Sequence, residues 1–255
     1  MKWEGIILDW AGTTVDFGSM APVKVFSAIF EEAGIPVTEE EVRGPMGILK
    51  RDHIRTMLAM PRICGAWEAA YGKAPEKSDV DRLYGRFEPM LLEVLAQGTE
   101  VKPFVPETMA ELRRRGYRLG STTGFNDAMM ALVVPSAKAG GYEADFWMSA
   151  DSVGGHGRPW PYMIFQNMMH FGWSDVRRIL KVGDTVEDIR EGQHAGCRTA
   201  GIVVGSSVMG LTKAEYDALG AEEQEAACRK AEQVYREAGA DFIIRDIRGL
   251  LDLAE

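Results

Sequence analysis

The sequence contains few cysteines, and their spacing forms no recognisable pattern. Its 255 residues include three, Cys64, Cys197 and Cys228, without a CxxC pair. An odd number of widely spaced cysteines argues against a disulfide framework and against a cysteine-based zinc site. Isolated thiols are usual in the reducing cytoplasm, so we expect a cytoplasmic protein in which these side chains are buried or inert.

Positive charge is also scarce, and no long apolar run is present. The chain has 29 Lys and Arg against 38 Asp and Glu, a formal net charge of −9, whereas nucleic acids and anionic membranes are bound by clustered basic residues. A membrane-spanning helix needs about 20 apolar residues, but the first apolar run covers only residues 5–8. We therefore expect no secretory signal, no membrane contact and no nucleic-acid partner, and a small molecule as the ligand.

The sequence does contain an alternation of short apolar runs and amphipathic stretches. The apolar runs predict buried strands at 5–8, 117–122, 146–148, 178–182, 199–204 and 242–244. The stretches between and after the later runs predict helices at 106–115, 126–139, 159–171, 187–195, 213–219, 222–237 and 247–253. Strands that alternate with helices form a parallel sheet covered on both faces, so the predicted fold class is α/β, with a Rossmann-like parallel sheet core.

One region interrupts this alternation. After the first strand the periodicity is helical throughout, with predicted helices at 21–34, 46–60, 66–71 and 78–97. We interpret residues 19–98 as an inserted, all-helical cap domain, and residues 1–18 with 99–255 as the α/β core.

Polar residues follow the predicted strands. Asp9 comes directly after the first strand, Thr123 after the second and Asp184 shortly after the fourth, while Arg158 lies in the loop after the third. Since the carboxyl ends of parallel strands share one edge of the sheet, we expect these side chains to lie close together. A carboxylate nucleophile, a hydroxyl, a cation and a second acid that can hold Mg²⁺ are what a phosphoryl-transfer site requires.

These residues stand in four segments that resemble the ordered motifs of the haloacid dehalogenase superfamily. The segments are Asp-Trp-Ala-Gly-Thr-Thr-Val-Asp at 9–16, Ser-Thr-Thr at 121–123, Gly-Arg-Pro at 157–159 and Val-Gly-Asp-Thr-Val-Glu-Asp at 182–188. The resemblance implies the fold of that superfamily, with a helical cap after the first motif. It also implies that Thr123 and Arg158 bind the oxygens of a phosphoryl group.

The same resemblance implies a metal site. Asp9, besides being the nucleophile, would hold Mg²⁺ together with the backbone carbonyl of Ala11 and the carboxylate of Asp184. Asp188, one helical turn beyond Asp184, would orient Arg158 or the water molecules on the metal.

One departure from the superfamily pattern is informative. Its phosphatases normally have a second Asp two residues after the nucleophile, which protonates the departing alkoxide, and this chain has Ala11 there. A cap lysine can stabilise a leaving group instead by forming a Schiff base with an aldehyde, because the protonated imine withdraws electrons from the departing carbon. The candidate is Lys50. On a helix, Met46, Lys50 and His53 share one face, which we expect to close over the site.

The cap segment Met-Gly-Ile-Leu-Lys-Arg-Asp-His at 46–53 is similar to that of the phosphonatase family within this superfamily. The similarity implies hydrolysis of a small phosphonate, phosphonoacetaldehyde, to acetaldehyde and phosphate in 2-aminoethylphosphonate degradation. It implies Lys50 as the Schiff-base lysine, with His53 as a proton shuttle. Met46 and Gly47 would line the substrate site, and the cap helices would form a homodimer.

Several roles stay open on the sequence alone. Lys50 must lose a proton to react, and we expect burial and a neighbouring cation to lower its pKa. His53 is either the proton shuttle or a hydrogen-bonding residue at the edge of the core. Ser19 either contacts substrate or caps the next helix, and Asp16 is expected to bind backbone donors in its loop. Phe125 stands where the family has a tyrosine, and the missing hydroxyl argues against a proton relay there.

The cap and the reaction class also allow alternatives. The apolar cap residues Phe26, Ile29, Phe30 and Met57 would cover the core or also form the dimer contact. A phosphate-ester phosphatase or phosphomutase would use the same fold, but Ala11 argues against it. A protein that binds phosphonate or phosphate without catalysis is the third alternative, which the complete set of reactive residues disfavours.

Overall fold

The fold is built on one parallel sheet. The computed structural model describes residues 3–255, and the strands are β1 Gly5–Leu8, β2 Leu119–Thr122, β3 Phe146–Met148, β4 Ile179–Gly183, β5 Arg198–Ile202 and β6 Phe242–Ile244. They lie in the order β3-β2-β1-β4-β5-β6, and each neighbouring pair is parallel. The predicted α/β class is therefore confirmed.

The chain changes direction across the sheet at β1. β2 and β3 extend the sheet on one side, and β4 to β6 extend it on the other, with Leu8 level with Ser121 and Val182. The carboxyl ends of β1, β2 and β4 therefore meet at the switch point where open α/β sheets bind ligands. Every residue of these three strands is buried, as expected when both faces of a parallel sheet are covered.

A helical region follows β1. Its helices are α1 Met20–Glu32, α2 Glu39–Arg43, α3 Lys50–Leu58, α4 Pro61–Tyr71 and α5 Lys77–Ala96. α1 and α3 pack along α5, and Phe26, Ile29, Phe30 and Met57 are at most 1% exposed in the apolar interior. Side chains buried this deeply are unavailable to a second copy of the chain, so the suggestion that these four residues form a dimer contact is wrong.

Local structure explains where these helices depart from the predicted ones. The helix predicted at 46–60 begins only at Lys50, because residues 44–48 form turns in which Gly47 has a φ of 102°. Helix α2 was not predicted. It has five residues and begins with a capping box between Thr38 and Glu41, a short-range signal that apolar periodicity does not reveal.

The remaining helices belong to the sheet layer. They are α6 Val105–Arg114, α7 Asp127–Ala139, α8 Tyr162–Phe171, α9 Val186–Ala195, α10 Lys213–Ala218, α11 Ala221–Glu237 and α12 Gly249–Leu253. α8 packs on β2 and β3, and α9 packs on β4 and β5. None of the helices within residues 3–255 has both the length and the apolar composition needed to cross a membrane.

Helix packing and side-chain hydrogen bonds join the inserted helices to the sheet layer. Helix α5 packs against α7. Arg43, at the end of α2, donates to the carbonyl oxygens of Gly18 at 2.9 Å, Ser207 at 3.2 Å and Gly210 at 3.2 Å. A single side chain thus binds both the start of the insertion and the loop after β5.

The cysteines are unpaired thiols. Cys197 and Cys228 are buried, as expected, whereas Cys64 is partly exposed. Burial raises the pKa of Cys197 to about 12, so this thiol stays protonated and unreactive.

Candidate active site

The carboxyl edge of the sheet ends in a small cavity. Asp9, Thr123 and Asp184 reach it from the ends of β1, β2 and β4, and Arg158 reaches it from the loop after β3; all four are at most 5% exposed. The cavity measures about 20 Å³, room for about one water molecule. It is lined by Asp9, Ala11, Ser19, Met46, Gly47, Lys50, Thr123, Gly124, Phe125, Arg158, Asp184 and Thr185. All residues predicted for the site are in this set except His53 and Asp188.

The chain turns sharply after Asp9. Gly12 has a φ of 83°, a left-handed conformation that glycine adopts without strain, and the Thr14 hydroxyl donates to the Asp9 carbonyl oxygen at 3.1 Å. A Cβ on Gly12 would lie 2.0 Å from Asp184 Oδ2. The turn therefore packs directly against the second carboxylate of the site, and Ala11 within it offers no acidic proton.

Arg158 is surrounded by carboxylates. Its Nη2 donates to Asp9 Oδ1 at 2.7 Å and to Thr122 Oγ1 at 2.9 Å, and lies 3.1 Å from Asp188 Oδ1. Its Nε donates to Glu191 Oε2 at 2.9 Å. Burial disfavours the guanidinium charge, but the three carboxylates raise the pKa of Arg158 well above its usual value. Arg158 therefore carries a fixed positive charge beside Asp9.

Three aspartates form a cluster that fits a metal ion. Asp9, Asp184 and Asp188 each offer a carboxylate oxygen within 4.8 Å of the other two. Burial, together with the charges of Asp9 and Asp188, raises the pKa of Asp184 well above its usual value. Ser207 orients Asp184 through an amide hydrogen bond of 2.7 Å to Oδ2. Mutually repelling carboxylate oxygens of this kind are the ligands that hard divalent cations prefer.

Asp188 interacts with cations behind the cavity. Its Oδ1 accepts from Lys181 Nζ at 2.7 Å and lies 3.1 Å from Arg158, and its Oδ2 accepts from the Thr185 hydroxyl at 2.6 Å. Burial opposes its charge, but Arg158 and Lys181 hold the pKa of Asp188 below its usual value. These contacts support the orientation of Arg158 as the contribution of Asp188.

Lys50 is buried at the first residue of α3. Burial, together with the charge of Arg158, lowers its pKa to about 8, although Asp9 opposes the shift. The Phe125 ring lies 5.1 Å from Nζ, in keeping with a site that excludes water. Both causes that we expected for a low Lys50 pKa, burial and a neighbouring cation, act in this structure.

His53 does not line the cavity. Its Nε2 lies 2.8 Å from the Val42 carbonyl oxygen, and its ring stacks on Phe26 with centroids 3.8 Å apart. Burial, with the charge of Lys50, lowers the pKa of His53 well below its usual value. Met46 precedes α3 instead of lying on it, so the single helical face predicted for Met46, Lys50 and His53 does not form.

Of the neighbouring residues, Asp16 has a structural role, whereas Ser19 and Phe125 line the cavity. Asp16, as expected, accepts from the backbone amides of Met20 and Ala21, both at 3.0 Å. Ser19 therefore does not cap α1 and instead lines the cavity. Phe125 also lines it.

Residue patterns did not identify four buried polar residues around the site. Thr122 and Glu191 contact Arg158, and Lys181 contacts Asp188. The sequence could have identified Lys181, because it is a charged residue within the otherwise apolar strand β4. No feature of the sequence marks Lys102. It donates to the carbonyl oxygens of Gly12, Val204 and Gly205, and burial lowers its pKa to about 8.

Comparison with known proteins agrees with this site. Residues 3–196 match the model of the haloacid dehalogenase-like hydrolases. The phosphonoacetaldehyde hydrolase of Lysinibacillus sphaericus is 48% identical over 98% of this chain and 93% of its own length. A bifunctional phosphonoacetaldehyde hydrolase/aminoethylphosphonate transaminase of Clostridioides difficile is 44% identical over 99% of this chain and 40% of its own length. The crystal structure of a phosphonoacetaldehyde hydrolase-like protein from Oleispira antarctica matches with a TM-score of 0.95 and 37% identity, over 100% of this chain and 92% of that one.

These similarities cover the parts of the chain that build the site. The matched range of the family model includes Asp9, Lys50, Thr123, Arg158 and Asp184. The relative from Lysinibacillus matches nearly the whole chain at high identity. The chain therefore belongs to the haloacid dehalogenase-like hydrolases, and within them to the group of the phosphonoacetaldehyde hydrolases.

Proposed function

We propose that the protein hydrolyses the carbon–phosphorus bond of phosphonoacetaldehyde to acetaldehyde and phosphate. One observation carries the proposal: Lys50, with its lowered pKa, and Asp9 line the same buried cavity, in which Ala11 occupies the position of the superfamily's general acid. A phosphatase without that acid has no group to protonate an alkoxide. The names of relatives of similar length support the same substrate.

Lys50 reacts first in the mechanism that we propose. Its neutral amine attacks the aldehyde carbon, and loss of water leaves a protonated imine next to the CH₂ group that carries phosphorus. Asp9 then attacks phosphorus, and the electron pair of the carbon–phosphorus bond moves into the imine to form an enamine. The products of this step are an aspartyl phosphate on Asp9 and an enamine on Lys50.

Two hydrolyses complete the cycle. The enamine takes a proton on its terminal carbon, and water cleaves the resulting imine to release acetaldehyde and free Lys50. A second water cleaves the acyl phosphate and releases phosphate from Asp9. One water was lost when the imine formed, so the net reaction consumes one water.

We infer that Mg²⁺ is the metal of this site. Asp9, the carbonyl of Ala11 and Asp184 would hold it, and their charge and burial support a divalent cation. When bound, the metal neutralises charge on the phosphoryl group.

The other cavity residues position the substrate. Arg158 and Thr123 bind phosphoryl oxygens, Arg158 through charge-assisted hydrogen bonds, while Asp188 orients Arg158. Met46 and Gly47 form the wall from which the cap covers the aldehyde.

We also propose His53 as a proton shuttle. Since the Val42 carbonyl can only accept, the neutral ring carries its hydrogen on Nε2 and leaves a lone pair on Nδ1, which has no partner among residues 3–255. Lys50 lies one helical turn earlier. If the shuttle operates, His53→Gln, whose side-chain amide nitrogen can reach the Val42 carbonyl in place of Nε2, slows imine formation while phosphate binding is retained.

The decisive experiment measures acetaldehyde and phosphate release from phosphonoacetaldehyde, with and without Mg²⁺. We expect equimolar products, dependence on Mg²⁺, and covalent trapping at Lys50 by borohydride with substrate. Lys50→Arg keeps the charge and is the matched control, for which no adduct and no turnover are expected. Full turnover by Lys50→Arg would exclude the imine mechanism, and ligand binding without product release would favour a binding protein.

The proposal extends to the organisation of the protein. We propose a core of residues 1–18 and 99–255, of which 1 and 2 lie outside the described residues, and a cap of residues 19–98. A cavity of about 20 Å³ is too small for phosphonoacetaldehyde, so the cap must move to admit it.

Its cellular setting is also a proposal. The relative from Clostridioides difficile carries an aminoethylphosphonate transaminase in the same chain, which supports a place in 2-aminoethylphosphonate degradation, where transamination supplies the aldehyde. The unpaired cysteines support a cytoplasmic location. We keep a homodimer through exposed parts of the cap helices as a proposal, which light scattering at micromolar concentration tests.

A further inference from the structure

Glu191 is a fully buried acid that the proposed mechanism does not use. It lies on α9 three residues after Asp188, and therefore on the same helical face. Its Oε2 accepts from Arg158 Nε at 2.9 Å and from the Thr122 hydroxyl at 2.9 Å, and lies 3.5 Å from Lys181 Nζ. Its other oxygen, Oε1, is buried and has no hydrogen-bond partner among residues 3–255. Since an unsatisfied buried polar atom is costly, this arrangement calls for a functional explanation.

The donors of Arg158 are distributed unevenly. Nη2 has two hydrogens but three acceptors within reach, on Asp9, Thr122 and Asp188. Nη1 has one long contact, 3.5 Å to the Gly47 carbonyl oxygen on the cap side of the cavity. Nη1 is therefore the nitrogen with hydrogens available for a ligand.

Glu191 determines which nitrogen of Arg158 stays available to bind a ligand. A guanidinium forms bidentate pairs with carboxylates when it can turn its fork toward them. Because Nε is bound to Glu191, the guanidinium cannot rotate to form a bidentate pair with Asp188. Nη2 is therefore the only nitrogen of Arg158 that reaches Asp9. The Thr122 hydroxyl strengthens this arrangement, because it accepts from Nη2 and donates to Glu191.

We propose that Glu191, acting with Thr122, is a positioning residue that fixes Arg158 from behind so that Nη1 binds a phosphoryl oxygen. Lys181 completes the arrangement by balancing the charges of Asp188 and Glu191 from its fully buried position. This inference rests on the proposed role of Arg158 in binding the phosphoryl group.

The test measures the binding of inorganic phosphate by calorimetry, together with KM and kcat for phosphonoacetaldehyde. Thr122→Val and Glu191→Gln each remove part of the support, and we expect phosphate affinity to fall roughly 10- to 100-fold, with KM rising more than kcat falls. Thr122→Ser keeps the hydroxyl and restores the affinity. Thr199→Val is the matched control, since it removes a partly buried threonine–aspartate hydrogen bond, to Asp241, on strand β5, which lies three strands away from Thr122.

A double-mutant cycle separates positioning from mere stability. Lysine lacks the Nε–H that Glu191 binds, so in the Arg158→Lys background Glu191→Gln is expected to leave phosphate affinity unchanged. If Thr122→Val and Glu191→Gln lower Tm but leave phosphate affinity at the wild-type value, Glu191 is only structural and the inference fails. Wild-type protein that binds phosphate but releases no acetaldehyde would refute the proposed function alone, because the phosphate measurements still test Glu191.

Discussion

Replacing Lys50 by methionine is expected to stabilise the protein while it abolishes turnover. Burial lowers the Lys50 pKa from 10.5 to about 8, so the folded protein disfavours an ammonium group that the unfolded chain tolerates. One pKa unit corresponds to about 1.4 kcal/mol, which makes the cost of this charge to folding about 3 kcal/mol at pH 7. Methionine has a similar length and no charge, and it adapts to buried sites.

The sign of the pH dependence makes this prediction specific. Below pH 8 Lys50 is charged in both states, and the full cost is present. Between pH 8 and 10.5 the folded protein has lost the proton that the unfolded chain still binds, so the wild type becomes more stable as the pH rises. In urea unfolding, the free energy of unfolding of Lys50→Met should exceed that of the wild type by about 3 kcal/mol at pH 7, which corresponds to about 6–12 °C in Tm. At pH 10 the difference should be about 1 kcal/mol.

Lys102 supplies the matched control. Its pKa is also lowered to about 8, but it donates to the carbonyl oxygens of Gly12, Val204 and Gly205. Lys102→Met removes a donor from the carbonyl oxygens of Gly12 and Val204, at about 1–3 kcal/mol each, whereas Gly205 keeps its bond from the Gly18 amide. Because these losses offset the relief of the buried charge, this variant should be less stable than Lys50→Met. If Lys50→Met gains no stability at pH 7, or its advantage does not shrink at pH 10, burial does not depress the Lys50 pKa as argued.

Other changes test the site from different sides. Since the neutral amine of Lys50 reacts, kcat/KM should rise about tenfold per pH unit up to pH 8 and then level off; a flat profile from pH 6 to 8 would contradict this. Gly12→Ala places a Cβ 2.0 Å from Asp184 Oδ2 and should raise the Mg²⁺ concentration for half-maximal activity by about tenfold. Gly72→Ala, at a φ of 73° in open space, is the control and should keep the wild-type metal response. Arg43→Ala removes the hydrogen bonds from α2 to the loop after β5 and should lower Tm and raise KM about tenfold, with partial recovery in Arg43→Lys; an unchanged KM would show that the cap closes without Arg43.

The framework of the fold was predictable because local rules determine it. Apolar runs of strand length and helical periodicity predicted every strand and all but one α-helix of residues 3–255. The errors lie where a short-range feature overrides periodicity. Gly47 turns the chain and delays α3 to Lys50, and the capping box of Thr38 forms α2 from five residues.

The location of the cavity was also predictable, for a topological reason. Parallel strands deliver their carboxyl ends to one edge, so residues that follow them meet wherever the chain has placed them in sequence. Asp9, Thr123 and Asp184 lie together for this reason. The orientation of His53 was not predictable, because its ring depends on Val42 and Phe26, which come from other helices.

By itself, the sequence determined which chemical groups the protein has and in what order: the carboxylate of Asp9, the missing acid at Ala11 and the lysine of the inserted helices. Only the tertiary structure decided how those groups behave. The low pKa of Lys50 arises from its burial where α3 meets the edge of the sheet, and the orientation of Arg158 arises from Glu191 on a helix that follows it. Protonation and orientation depend on distances between residues far apart in the chain, and the spacing of residues along the chain does not contain those distances.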